Sequence, residues 1–108
     1  MRIKICQFKT KVGDIKSNLN QMLKEYEEAT LNNCDILLFP SMFFSGYHPQ
    51  DLLLQQYFLK ELVKAEDVLL KATDREKCAI LFGNVTQTTN KSLYNSAVFI
   101  SKGKIALR

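Results

Sequence analysis

The sequence predicts an α/β fold, and three observations carry that prediction. Short apolar runs suited to strands alternate with two longer stretches of helical periodicity through residue 73. The remaining chain carries strand-like runs in succession, parted by polar or Lys-Gly turns. No repeat, linker or low-complexity segment interrupts the 108 residues, so they read as one domain, 1–108, in the order β-α-β-α-β-β-β.

Each element has its own warrant. Residues 2–9 alternate Ile3, Ile5 and Gln7 against Lys4, Cys6 and Phe8, the pattern of a strand with at least one buried face, and Arg2 and Lys4 read as its solvated positions. Lys11-Val12-Gly13-Asp14 is a turn, after which Asp14 or Ser17 caps a helix by accepting an orphan N–H. Ile15, Leu19, Met22, Tyr26 and Ala29 recur at helical spacing and leave Lys16, Asn20, Lys24 and Glu27 outside; Asn32-Asn33 ends the run. Asp35 to Phe39 carries the continuous apolar run Ile36-Leu37-Leu38-Phe39, the mark of a strand buried on both faces. A loop runs to Gln50, and a helical region covers 51–73 with a break near Gln55–Tyr57. Phe58, Leu62, Ala65, Leu69 and Ala72 line one face of its longer part. Cys78–Val85 and Leu93–Ser101 are further strands, Lys102-Gly103 is a turn, and Lys104-Ile105-Ala106-Leu107 begins one more. The chain stops inside this last element, so the reading expects further chain downstream.

Composition excludes several function classes. Hydrophobic residues at 46% and charged ones at 24% describe a globular chain. No apolar run reaches bilayer length and no signal-peptide core follows Met1, so no membrane role and a cytoplasmic location are expected. A net charge of +4 invites an anionic partner, but the lysines are scattered among acids with no aromatic-interleaved basic stripe, which argues against nucleic acid. Cys6, Cys34 and Cys78 are widely spaced and contain no Cys-x-x-Cys pair, and His48 is the only histidine. They read as free buried thiols, with no metal site expected. Gly13, Gly46, Gly83 and Gly103 are isolated, so no phosphate-cradling loop and no cofactor is expected.

The most informative stretch is Ile36-Leu37-Leu38-Phe39-Pro40-Ser41-Met42-Phe43-Phe44-Ser45-Gly46-Tyr47. It resembles the strand–loop signature of the nitrilase (carbon–nitrogen hydrolase) superfamily, in which Phe-Pro precedes a general-base glutamate. The continuation Ser45-Gly46-Tyr47-His48-Pro49-Gln50-Asp51-Leu52-Leu53-Leu54 is similar to the glutaminase domain of glutamine-dependent NAD synthetases. The likeness runs along the whole chain, through Gln7 with Val12-Gly13-Asp14, Asn18-Leu19, Cys34-Asp35, Gly83 and Leu93-Tyr94-Asn95-Ser96-Ala97.

The resemblance implies an αββα sandwich, of which this chain supplies an incomplete, C-terminally truncated part, and amide hydrolysis by a Glu–Lys–Cys triad. Residue by residue the carry-over fails. Ser41 occupies the glutamate position, the segments bearing the lysine and the nucleophilic cysteine have no counterpart, and none of Cys6, Cys34 or Cys78 falls at the nucleophile motif. A serine hydroxyl is no base near neutral pH, and positioned acid–base catalysis is worth about 10²–10⁴-fold. Without a thiolate no thioester forms. No nucleophile elbow surrounds Ser41, and sequence proximity does not make His48 its base.

The expectation is therefore a chain without catalytic residues and with a vestigial pocket at Ser41 and Tyr47. Tyr47 lies at the active-site mouth in the family, and pocket lining and simple packing remain equally open for it. Expected partners are a second copy of the chain, or a nitrilase-like or synthetase subunit. The competing readings are a dead remnant, a pseudoenzyme docking module, and half of a split hydrolase. Ser41 counts against the last, because a complementing fragment restores the lysine and cysteine but not the base.

Overall fold

A computed structural model describes residues 1–46, 49–74 and 78–108. Strand β1 is Ile3–Ile5, helix α1 Ile15–Leu31, strand β2 Ile36–Leu38, helix α2 Gln56–Ala72, and strands β3, β4 and β5 are Ala79–Gln87, Leu93–Ser101 and Lys104–Leu107. One turn of 3₁₀ helix, Gln50–Leu54, precedes α2, and Gln55, in extended conformation, breaks the two apart where the sequence places the interruption.

Spatial order along the single five-stranded sheet equals chain order, β1-β2-β3-β4-β5. The first two pairings are parallel and each is bridged by a helix. The last two are antiparallel, and β4 meets β5 through the two-residue turn Lys102-Gly103, where both residues take positive φ. A register shift at Phe99/Ile100 marks a bulge between these two strands.

Helix α1 begins where expected: the Asp14 carboxylate accepts from the Ser17 N–H at 3.1 Å. It ends at Asn32, whose side chain donates to the Glu28 carbonyl at 2.9 Å, and Asn33 takes a left-handed φ of 57°. Both helices cover one face of the sheet. Met22, Tyr26 and Ala29 of α1 and Phe58, Leu62, Ala65 and Leu69 of α2 form one core with Leu37, Ile80, Phe82, Val98 and Ile100. Each large apolar side chain so buried contributes about 1.5–3 kcal/mol. Ala72, placed on the same stripe by the sequence, is exposed at the end of α2.

The opposite face of the sheet has no layer over it among the described residues. Registers line up Ile5, Leu38, Leu81, Phe99 and Leu107 as one row across all five strands, and Ile3, Ile36 and Ala79 as a second. Ile5 is 64% exposed and Leu107 71%. This corrects the reading of β1: Ile3 and Ile5 lie on the open face, and the solvated position expected at Lys4 turns instead toward the helices. The Lys4 ammonium pairs with Glu25 of α1 at 2.9 Å and with Glu28 at 3.8 Å.

Candidate functional site

Ser41 lies just beyond the C-terminal end of β2, where an open α/β sheet places its ligands. Strand pairing continues past Leu38: the Phe39 N–H donates to the Leu81 carbonyl at 2.8 Å, and the Gly83 N–H donates to the Pro40 carbonyl at 3.3 Å. The chain then turns at Met42, which has a φ of 51°, and the Phe43 N–H returns to the Gly83 carbonyl at 3.2 Å. Backbone touches backbone at this corner. A Cβ on Gly83 would stand 2.4 Å from the Ser41 Cα, so only glycine lets the corner close.

The corner is fixed from behind by aromatic packing and by one asparagine. Phe39 and Phe43 pack with ring centroids 4.7 Å apart, and Phe44 and Phe82 at 5.3 Å. Asn18 of α1 is buried and donates to the Phe44 carbonyl at 2.8 Å and to the Lys11 carbonyl at 2.9 Å, while its oxygen accepts from the Lys11 N–H at 3.0 Å. The Gly13 N–H adds a bond to the Ser45 carbonyl at 2.9 Å. Gly46 permits the contact between the two loops, because a Cβ there would meet the Val12 Cα at 2.7 Å. The loop after β1 and the loop after β2 thus form one unit.

A shallow cavity of about 330 Å³ opens beside Ser41 on the uncovered face. Leu38, Leu81, Gly83 and Ala97 form its apolar part, and Ser41, Asn95 and Ser96 supply its polar side chains. Among the described residues, none that lines it is ionisable, so these residues offer hydrogen bonds and contact but no base, acid or thiolate.

The cysteines lie elsewhere. Cys34 and Cys78 precede β2 and β3, at the strand ends opposite Ser41, and Cys34 is only half-buried where a buried thiol was expected. Cys6 follows β1, and burial pushes its thiol up from its ordinary value, which holds it protonated. Among the described residues no group of three or more His, Cys, Asp or Glu side chains is placed to hold a metal ion. Among the described residues no helix is long and apolar enough to cross a membrane. Tyr47, the second expected pocket residue, and His48 lie outside the described residues.

One polar cluster escaped the sequence reading. Glu66 of α2 is buried and accepts from Asn84 Nδ2 at 2.9 Å and from the Arg108 guanidinium, which also donates to the Thr86 hydroxyl. Its signal was a charged residue in phase with the apolar stripe, four residues after Leu62 and three before Leu69.

Against known proteins, the profile of the family described as Carbon-nitrogen hydrolase matches residues 2–107. The chain belongs to this family. The glutamine-dependent NAD(+) synthetase of Acinetobacter baylyi is 34% identical over 104 residues, covering 96% of this chain and 19% of the relative. That of Aquifex aeolicus is 32% identical, covering 97% and 18%. The chain therefore spans about one fifth of the length of these relatives, in their N-terminal portion.

Among solved structures, the glutamine-dependent NAD+ synthetase of Acinetobacter baumannii, in complex with ADP, superposes with a TM-score of 0.81 at 28% identity, over 96% of this chain and 19% of that one. An amidase from Nesterenkonia sp. superposes at 0.87 over 99% of this chain and 41% of that chain; at 19% identity this likeness speaks for the fold alone. The described architecture is a partial nitrilase-like fold, with one sheet and two helices.

Proposed function

We propose that this chain is a truncated, non-catalytic portion of the glutamine amidohydrolase domain of a glutamine-dependent NAD synthetase. The observation that carries this reading is the cavity beside Ser41, which has the place of a reaction site and, among the described residues, no ionisable side chain in its lining. The relatives supply the substrate class, since those matched are glutamine-dependent NAD(+) synthetases. Ser41 stands at the position where the family signature carries its base, and among the described residues no cysteine lines the cavity beside it. No cofactor forms part of this reading. A cytoplasmic location goes with it, because the wide spacing of the three cysteines, with no Cys-x-x-Cys pair, suits a reducing compartment.

The test is ammonia release from glutamine by the purified chain. We expect none above a boiled control, and none after Ser41→Glu, because no base substitutes for a missing nucleophile. Ammonia release that disappears on mutating Ser41 or any cysteine would overturn the proposal.

A second reading is favoured by the uncovered sheet face: the chain serves as a docking module for a nitrilase-like or synthetase subunit. Half of a split hydrolase is its enzymatic variant, and Ser41 weighs against it. Co-purification with a separately expressed remainder of a nitrilase-like domain, followed by the same ammonia assay, separates the two. Binding without activity supports docking, and binding with activity supports the split enzyme.

A further inference from the structure

We infer that β5 is a strap: a strand that α2 fastens at both ends and that opens as a unit while the rest of the sheet stays folded. On its own β5 has little to hold it. It closes the described sheet at one edge, and all of Lys104–Leu107 are exposed. It pairs with β4 only at Phe99–Leu107, Ile100–Ile105 and Ser101–Lys104, across the register shift at Phe99/Ile100. Its neighbour is built differently: β4 pairs with β3 along the whole of Ile80–Gln87 and buries Val98 and Ile100 in the core. Segments with exposed backbone bonds and few buried apolar contacts open first, and β5 fits that description where β3 and β4 do not.

Two polar fastenings make up the deficit, and both reach β5 from α2. At its start the Thr73 hydroxyl, fully buried, donates to the Leu70 carbonyl at 2.9 Å and accepts from the Gly103 N–H at 3.2 Å. The turn rests directly on the chain leaving α2, since a Cβ on Gly103 would stand 2.8 Å from Asp74 Oδ1. At its end the Arg108 guanidinium pairs with Glu66 and donates to the Thr86 hydroxyl at 2.8 Å. The Glu66 carboxylate is nine-tenths buried and is aimed by Asn84 Nδ2 at 2.9 Å, so this charge-assisted pair is held more firmly than one between two exposed side chains. Glu66 and Thr73 are two turns of helix apart, about 10.5 Å, whereas Gly103 to Arg108 spans about 17 Å of extended chain. The long Arg108 side chain, reaching back across the sheet, bridges that difference. While fastened, β5 keeps the outer edge of β4 paired, and an unpaired edge is a template for another strand.

Native-state amide exchange of the intact chain tests this. In the wild type the amides of β5 should exchange through an opening that leaves β2 and β3 protected. Arg108→Ala and Thr73→Val should each lower β5 protection about tenfold, the size of one lost hydrogen bond to a charged or buried group, with α1, β2 and β3 unchanged. Thr73→Ser keeps the hydroxyl and should keep the protection. Arg108 is exposed outside the core, so its variant reads the strap even if Thr73→Val, at a fully buried position, does not fold. Wild-type β5 amides that exchange only together with those of β3 overturn the proposal. So does β5 protection unchanged in Arg108→Ala, or a loss that spreads equally to β2 and β3, which makes the contacts part of global stability alone.

Discussion

Gly83 and Ser41 meet backbone to backbone, so that a Cβ at Gly83 would fall 2.4 Å from the Ser41 Cα. The contact ties the corner after β2 to the middle of β3, and both strands share it. Gly83→Ala pushes them apart and strains the bonds between Gly83 and both Pro40 and Phe43. A loss of about 1–3 kcal/mol is expected, as for other overpacked sites. Urea unfolding measures it, and a midpoint equal to wild type would show that the corner yields freely.

Asn18 makes three hydrogen bonds to two loops from one buried side chain. Asn18→Ala strands the Phe44 carbonyl in the interior, for which about 1–3 kcal/mol is the usual cost. The loops at 11–13 and 42–46 should lose amide-exchange protection before the helices do. Uniform loss of protection across the chain would place the role of Asn18 in global stability instead.

Ser41 itself is exposed, and among the described residues its side chain has no hydrogen-bond partner. Ser41→Glu should therefore change stability by no more than about 0.5 kcal/mol. Thermal unfolding checks this, and a large drop would make a failed activity rescue uninterpretable.

Alkaline pH should weaken the fold. Burial raises the Cys6 thiol above 9.0, and the hydrogen bond to Glu25 raises Lys4 above 10.5. In both cases the folded chain keeps a proton that the unfolded chain releases, so the unfolded state binds fewer protons and stability falls as pH rises. The contribution is complete below these ordinary values and is lost as pH climbs through the raised ones. Urea midpoints should decline from near pH 9.0, and Cys6→Ala should flatten the early part of the decline. A midpoint that rises across this range contradicts the assignment.

Most of the fold was legible because apolar spacing dictates it. The Asp14 cap, the break at Gln55 and the Lys102-Gly103 turn follow from local chemistry that a sequence displays. The side of the sheet that the helices cover was not legible. Ile3 and Ile5 look like core residues in sequence, and only the placement of both helices on the other face leaves them exposed. The Ser41 corner could be located from Phe39-Pro40, yet the closeness of Gly83 depends on strands brought together across a helix. Asn18, Glu25 and Glu66 share one signature: polar residues in phase with an apolar stripe, each buried and each supplied with partners from another element.

Because strand order across the sheet equals strand order along the chain, no ladder must open to admit a later strand. Gln87 pairs with Leu93 and Ser101 with Lys104, contacts that close small loops and form early, whereas Ile36 must find Ala79 across a whole helix. During synthesis each emerging strand can add to the free edge of its predecessor. A nascent chain at any stage therefore already presents the edge that its next segment will occupy.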